Sequence, residues 1–421
     1  MRTTVVIIGA GPAGLAMSRC LTARAIDHVL LERGEAAHTW RTERWDSLRL
    51  LTPNWFSRLP GWHYRGDDPD GYMTAVEVAD HLDGYRRSFD PPVRPRTTVL
   101  AVRSTPSGFT VTTDHDQWRC RGVVIATGAA STPRIPALAR ELPTTVAQLV
   151  PIRYRNPDRI GDGRVLVVGA SASGVQIADE LARSGRAVTL AVGEHSRLPR
   201  TYRGRDIHRW LDAIGQLDER HDEIDDLARA RRQPSLQLVG SPQRRTLDLN
   251  ALSAIGVELV GRFVGITGHT AQLSGSLAAV CASADLKQGR LLDRIDAFAA
   301  AAATGGQVGE VGPPHRPRPT VVGPARTALD LRSVGTVVWA TGYAPRYPWL
   351  DPGLLDGRGA IRHDGGVLPE PGMYVLGLPF TRRRKSTFLD GFGPDAEELA
   401  ARLAAHLDRR VAWSGARRTA A

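Results

Sequence analysis

Lysine is almost missing from this sequence of 421 residues: Lys287 and Lys385 are the only two among 55 basic side chains. The rest of the positive charge is guanidinium, which is no amine nucleophile, and this argues against Schiff-base chemistry. Cysteine is scarce too. Cys20, Cys120 and Cys281 form no CxxC pair and no metal-ligand spacing, which speaks against a dithiol relay, a metal site and a secreted disulfide framework. A reducing cytoplasm is the expected compartment. No stretch approaches the roughly 18 consecutive apolar residues of a membrane span. The opening MRTTVVIIGAG puts one charge before an apolar run, as an export signal does, but the run enters a glycine turn within a few residues and reads as a first strand. Basic runs interleaved with aromatics are also lacking. The formal charge of +11 and pI near 10.2 are therefore not taken as a nucleic-acid footprint. The densest run, Arg382 to Lys385, reads as a solvated loop, or as a loop near an anionic cofactor phosphate or substrate.

What is present is ordinary globular composition, 42% hydrophobic and 24% charged, long enough for two or three domains. In TTVVIIGAGPAGLAMSRCL an apolar strand runs into Gly9-x-Gly11-x-x-Gly14, and a helix follows at once. Each glycine answers a separate demand: a tight turn at Gly9, backbone approach to a pyrophosphate at Gly11, and close helix-on-strand packing at Gly14. The helix start, with Pro12 and Ala13, offers free N–H groups to phosphate. Glu32 ends the next strand, HVLLER, where a carboxylate accepts from a ribose 2′-hydroxyl; Arg33 follows it.

A second unit, GRVLVVGASASGVQIADEL, repeats strand, turn and helix with Gly169, Ser171 and Gly174 in the fingerprint places. Ser171 adds a Cβ where the backbone approaches pyrophosphate, and its hydroxyl, like that of Ser173 beyond Ala172, can donate to a phosphate oxygen. After the strand AVTLAVG, Arg197 and Arg200 are candidates for a 2′-phosphate, which favours NADPH, while Glu194 keeps NADH open. Two further strands end in small-residue turns, Ala126-Thr127-Gly128 and Ala340-Thr341-Gly342-Tyr343, placed before and after the second unit.

These four ordered motifs resemble the class B flavin monooxygenases, a group of two-dinucleotide-binding-domain flavoproteins, and the resemblance covers almost the whole chain. It implies an α/β fold with two Rossmann-like domains, the NADPH domain inserted in the FAD domain. The expected bounds are 1–143 and 331–421 for the FAD domain and 144–330 for the NADPH domain, with a helical insertion over about 203–310. TWRTERWDSLRLLTP resembles the segment around the flavin ring. Trp40 there borders the isoalloxazine or is core, and Ala37-His38 stands where the family has paired glycines. Asp46 and Arg49 are the candidate catalytic residues, matching the auxin-forming branch in type and spacing. Leu389, Asp390 and Gly391 belong to the resemblance's last flavin element, with a helix expected from near Pro394-Asp395. Gly377-Leu378 replaces the Gly-Asp of disulfide reductases. The family fingerprint FxGxxxHxxxW/Y is eroded: Thr144, Val146 and Val150 replace Phe, Gly and His, and Tyr154 keeps the last aromatic.

By this resemblance the function is an FAD-dependent, NADPH-consuming monooxygenase. It would form a C4a-(hydro)peroxyflavin and pass one atom of O₂ to the nitrogen or sulfur of a small organic substrate. Three alternatives are open: Baeyer–Villiger oxygenation of a carbonyl, a non-oxygenating NADPH:flavin oxidoreductase, and a non-catalytic nucleotide-binding protein. Substrate identity and oligomeric state have no motif.

Overall fold

The computed structural model describes residues 1–418 apart from 131 and 305–310, so the last residues of the expected insertion and of the chain, 305–310 and 419–421, lie outside the described residues. Strand Val5–Ile8, buried throughout, takes helix Pro12–Thr22 and then the parallel strand His28–Leu31 in a βαβ unit. The sheet around it is all parallel, in the order Met373–Val375, Gly122–Ile125, Val5–Ile8, His28–Leu31, Val93–Arg94. Burial on both faces explains why its three central strands read as unbroken Val, Ile and Leu, with His28 and Gly122 at their starts, rather than as alternation.

The second sheet repeats the plan: Glu258–Val260, Val188–Ala191, Arg164–Val168, Val334–Trp339, Ala147–Leu149. In each unit a three-stranded antiparallel meander leads into the strand that pairs with the fingerprint strand. In the first unit the meander is Val99–Thr105, Gly108–Thr113 and Gln117–Cys120; in the second it is Phe263–Thr267, Thr270–Leu273 and Ala328–Asp330.

Two expected boundaries move. Val334–Trp339 lies inside the second sheet, so the return to the first domain comes after the Ala340 turn and not at 331. The reason is packing, because the strand ending in Ala340 supports the Gly169 turn of the same domain. The span 203–310 is also more than an insertion. It contains strand Glu258–Val260 and most of the second meander; the added helices are Ile207–Ala213, Leu227–Arg231 and Leu277–Thr304, the last lodged between two meander strands. The two crossings between domains run side by side, with Ala344 N–H donating to Thr132 O at 2.8 Å and Arg134 N–H to Gly342 O at 2.9 Å.

The insertion is fastened to the first domain in three ways. Phe56, with Leu51, Trp55 and Phe388, packs into a core made by Ile207, Trp210, Leu211, Leu292 and Ile295. A buried polar hub lies beside it: Asp206 accepts Tyr72 Oη at 2.6 Å and Arg200 Nη2 at 3.0 Å, while Arg200 Nη1 donates to Leu51 O at 2.7 Å. The run Arg382–Lys385 is neither solvated nor free for an anion. Arg382 and Arg383 pair with Glu398, Arg384 with Glu219, and Lys385 with Asp390 at 2.6 Å and Asp218 at 2.9 Å.

Burial alone would raise the Glu398 carboxyl, but hydrogen bonds from Arg220, Arg383 and Arg382 outweigh it and hold the group down at about 2. A depressed carboxylate contributes stability above its unfolded pKa, and that stability is lost as pH falls towards the folded value. Glu398→Gln should therefore lower Tm at pH 7 and flatten the fall of Tm between about pH 4.5 and 2, read by thermal denaturation across pH.

Candidate functional site

Both glycine turns are built alike. Gly9 has φ +104°, and a Cβ there would stand 2.6 Å from Ala126 O; Gly169 has φ +109° and would meet Ala340 O at 2.4 Å. A Cβ on Gly14 would fall 2.0 Å from Gly9 O, and one on Gly174 would fall 1.8 Å from Gly169 O. Neither pair accepts a side chain. Gly11 differs, since a Cβ there meets nothing within 4 Å: its bare side faces open space, which is the room a pyrophosphate needs. Its φ of −75° and ψ of −175° are matched by Ser171 at −84° and −175°, a conformation open to any L residue. Ser171 is thus accommodated without backbone strain, and its hydroxyl caps no helix N–H. Ala172 and Ser173 open the second helix as Pro12 and Ala13 open the first.

The two Ala-Thr-Gly turns are the floor beneath these fingerprints. Ala126 and Ala340 are buried under the glycines, while Gly128 (φ +76°) and Gly342 (φ +85°) carry their missing side chains towards open space. Glu32 is held ready: its carboxylate accepts Ala10 N–H at 2.8 Å and Gly34 N–H at 2.9 Å, with lone pairs left for a ribose diol. Arg33 is exposed beside it, as Thr127 is beside Ala126. Trp40 is half-buried against the first core, with the Arg44 guanidinium 5.0 Å over its ring. Ala37 adopts φ +59°, the left-handed conformation for which the resembling family has glycine.

At the other wall, Leu389, Asp390 and Gly391 are buried, and the helix runs Leu389–Arg418, starting five residues before the expected Pro394. Pro394 lies inside it. Gly391 is required because a Cβ would sit 1.9 Å from Lys385 O. Tyr343 is half-buried, and Thr341 Oγ1 donates to Arg134 O across the paired crossings.

Several expected residues serve elsewhere. Arg197 is 3% exposed and pairs with Asp248 at 2.7 Å and with Asp285; Arg200 is fully buried in the hub with Asp206. Both guanidiniums are compensated inside the protein, which removes them from a 2′-phosphate. Asp46 and Arg49 do not meet. Asp46 is exposed and accepts Asn156 Nδ2 at 2.6 Å; Arg49 donates to Tyr72 O at 2.7 Å. Asp46 belongs to a clasp on the interdomain linker, where Arg155 donates to the carbonyls of Thr42 and Arg44. Tyr154 is buried with Oη on Glu180 at 2.8 Å, and burial raises the Glu180 carboxyl.

A cavity of about 290 Å³ opens at the end of strand Val188–Ala191, lined by Glu194, His195, Arg262, Ser283 and Lys287 among others. Lys287 Nζ lies 3.2 Å from Glu194, and Arg262 lines the same cavity. Sequence reasoning missed both cations because they arrive from the meander and the long helix, 70 or more residues beyond the strand. His195 donates Nδ1–H to Gly193 O at 3.0 Å, and burial lowers its pKa.

The profile of the pyridine nucleotide-disulphide oxidoreductases matches residues 6–217. An uncharacterized CzcO-like oxidoreductase of Geobacillus kaustophilus is 31% identical over 398 residues, 94% of this chain and 96% of that protein. Arabidopsis thaliana YUCCA6, an indole-3-pyruvate monooxygenase, is 34% identical over 202 residues, 45% of this chain and 48% of that one. The flavin-containing monooxygenase of Stenotrophomonas maltophilia shares the fold with a TM-score of 0.68 at 20% identity, over 96% of this chain and 99% of that chain.

Gly11→Ala should fold with unchanged Tm yet hold flavin more weakly, whereas Gly14→Ala, with a carbonyl 2.0 Å from the new carbon, should lose about 3 kcal/mol of stability. Absorbance at 450 nm per chain and thermal melts separate the two.

Proposed function

The chain belongs to the pyridine nucleotide-disulphide oxidoreductase family, and from that premise we propose that it is an FAD-dependent monooxygenase reduced by NADPH. Its substrate in this reading is a small organic molecule oxygenated at nitrogen or sulfur with one atom of O₂. The observation that carries the reading is the duplicated cradle in a chain without a thiol pair. Cys20, Cys281 and Cys120 sit in three separate cores, and burial pushes their thiols up to about 11, 11 and 12. The nearest disulfide-reducing chemistry would need an accessible thiolate. None of the three supplies one.

FAD at the first site would supply hydride acceptance and oxygen activation. The residues here bind and orient. Glu32 takes the ribose hydroxyls, Gly11 leaves room for the pyrophosphate, and the N–H groups of the helix begun at Pro12 face it. The positive end of helix Leu389–Arg418 would favour negative charge on the ring. Ser171 and Ser173 serve the pyrophosphate of the exchangeable nucleotide.

Arg262 and Lys287, rather than Arg197 and Arg200, are our candidates for its 2′-phosphate, with Lys287 also neutralising Glu194. Replacing Arg262 and Lys287 by alanine should raise the Kd for NADPH about tenfold or more and leave NADH nearly unchanged. Equal losses would take both cations away from the 2′-phosphate.

The reaction itself is tested with NADPH under ¹⁸O₂ against amines, sulfides and ketones. Label in an N-oxide or S-oxide is expected. Label in esters from ketones moves the assignment to Baeyer–Villiger chemistry, and turnover that yields only peroxide moves it to a non-oxygenating oxidoreductase.

A further inference from the structure

We propose that segment 235–240 closes the second nucleotide site as a strap, with Ser235 and Gln237 as direct ligands to a ribosyl phosphate; this rests on reading Gly169–Gly174 as a dinucleotide site. Within the strap, Leu236–Gln237 pair with Ser196–Arg197, and the segment crosses the start of helix Ala172–Arg183. Three contacts hold it there. Ala172 N–H points at Ser235 Oγ at 3.4 Å, Gln237 Nε2 donates to Ala170 O at 2.7 Å, and Gln176 Nε2 donates to Leu238 O at 2.8 Å.

Two of these contacts ask for a ligand. The Ala172 to Ser235 contact is long for a hydrogen bond, and Ser235 is exposed, so its hydroxyl is free to turn towards an oxyanion arriving at the helix start. Gln237 is fully buried. Since Ala170 O only accepts, the amide's NH₂ is fixed on it, and Oε1 is left buried without a donor. A hydroxyl and an N–H that want an oxyanion, next to an acceptor that wants a hydroxyl, match a sugar esterified to phosphate. A carboxylate would answer only the first demand. Because Oε1 is shut from solvent, the strap lifts and recloses around the ligand.

The far end of the strap reaches the flavin side. A Cβ on Gly240 would stand 2.1 Å from Leu50 O, 2.9 Å from Tyr72 Cβ and 3.0 Å from Arg49 Cβ, so its backbone lies directly on the segment around Leu50. The strap thereby joins the exchangeable nucleotide to the flavin-side segment through one short piece of chain.

The experiment titrates the flavin-loaded enzyme with NADP⁺, read by calorimetry and by the perturbed flavin absorbance, for wild type, Ser235→Ala, Ser235→Thr and Ser235→Asp. Ser235→Ala should raise Kd about tenfold, and Ser235→Thr should restore most of it. Ser235→Asp sets a carboxylate against the phosphate and should abolish measurable binding while Tm and flavin content stay unchanged, since an acid is welcome at a helix start. A residue that merely capped the helix would behave otherwise: Ser235→Ala would lower Tm without changing Kd, and Ser235→Asp would still bind. That result overturns the proposal. Wild-type enzyme that binds neither NADP⁺ nor NAD⁺ would overturn the dinucleotide reading itself, whereas tight wild-type binding that no Ser235 variant disturbs overturns the strap alone.

Discussion

A single absent carbon, repeated at four places, is what both halves of this protein are built around. Helix lies on strand, and strand on the neighbouring turn, so closely that Gly9, Gly14, Gly169 and Gly174 would each drive a Cβ to within 2.6 Å of a carbonyl oxygen. The alanines of the two Ala-Thr-Gly turns complete the arrangement from below, as their carbonyls and methyl groups are what the glycines rest upon. This packing sets the height of each helix start above its sheet. Gly11, at the lip of the first turn, is not pinned in this way and faces open space, and Ser171 repeats its backbone conformation at the lip of the second.

A second constraint ties the halves together. The chain carries more cations than anions, yet the cations between the insertion and the first domain are nearly all matched: Arg382 and Arg383 by Glu398, Arg384 by Glu219, Lys385 by Asp218 and Asp390. Charge left unpaired in such half-buried places would be costly. With Phe56 seated in the insertion's core and Tyr72 bonded to Asp206, the insertion is locked to the first domain as a structural part of the molecule.

How much was legible in the sequence follows from how local each cause is. The fingerprints, the two sheets and the absence of a thiol pair were readable, because a turn's backbone and a strand's burial leave their marks within a few residues. The roles of Arg197 and Arg200 were not. Arg197's partners Asp248 and Asp285 lie 51 and 88 residues away, and although Asp206 stands only 6 residues beyond Arg200, nothing in the sequence shows that the two pair or that Leu51, 149 residues away, takes the other end of the guanidinium. Arg262 and Lys287 escaped for the converse reason, arriving at the end of Val188–Ala191 from distant elements. The boundary at 331 failed because a strand before an Ala-Thr-Gly turn belongs with the glycines that rest on it. Asp46 and Arg49, alike in spacing to a known pattern, proved to be parts of two different contacts.

In the proposed function the chain holds two unlike nucleotides, one resident and one exchangeable. Native mass spectrometry of the purified protein, before and after adding NADP⁺, tests it most directly. One FAD is expected on every chain, kept through dialysis, and one further NADP⁺ that appears on addition and leaves on washing. A chain without FAD, or one that gains a second FAD instead of NADP⁺, would contradict it.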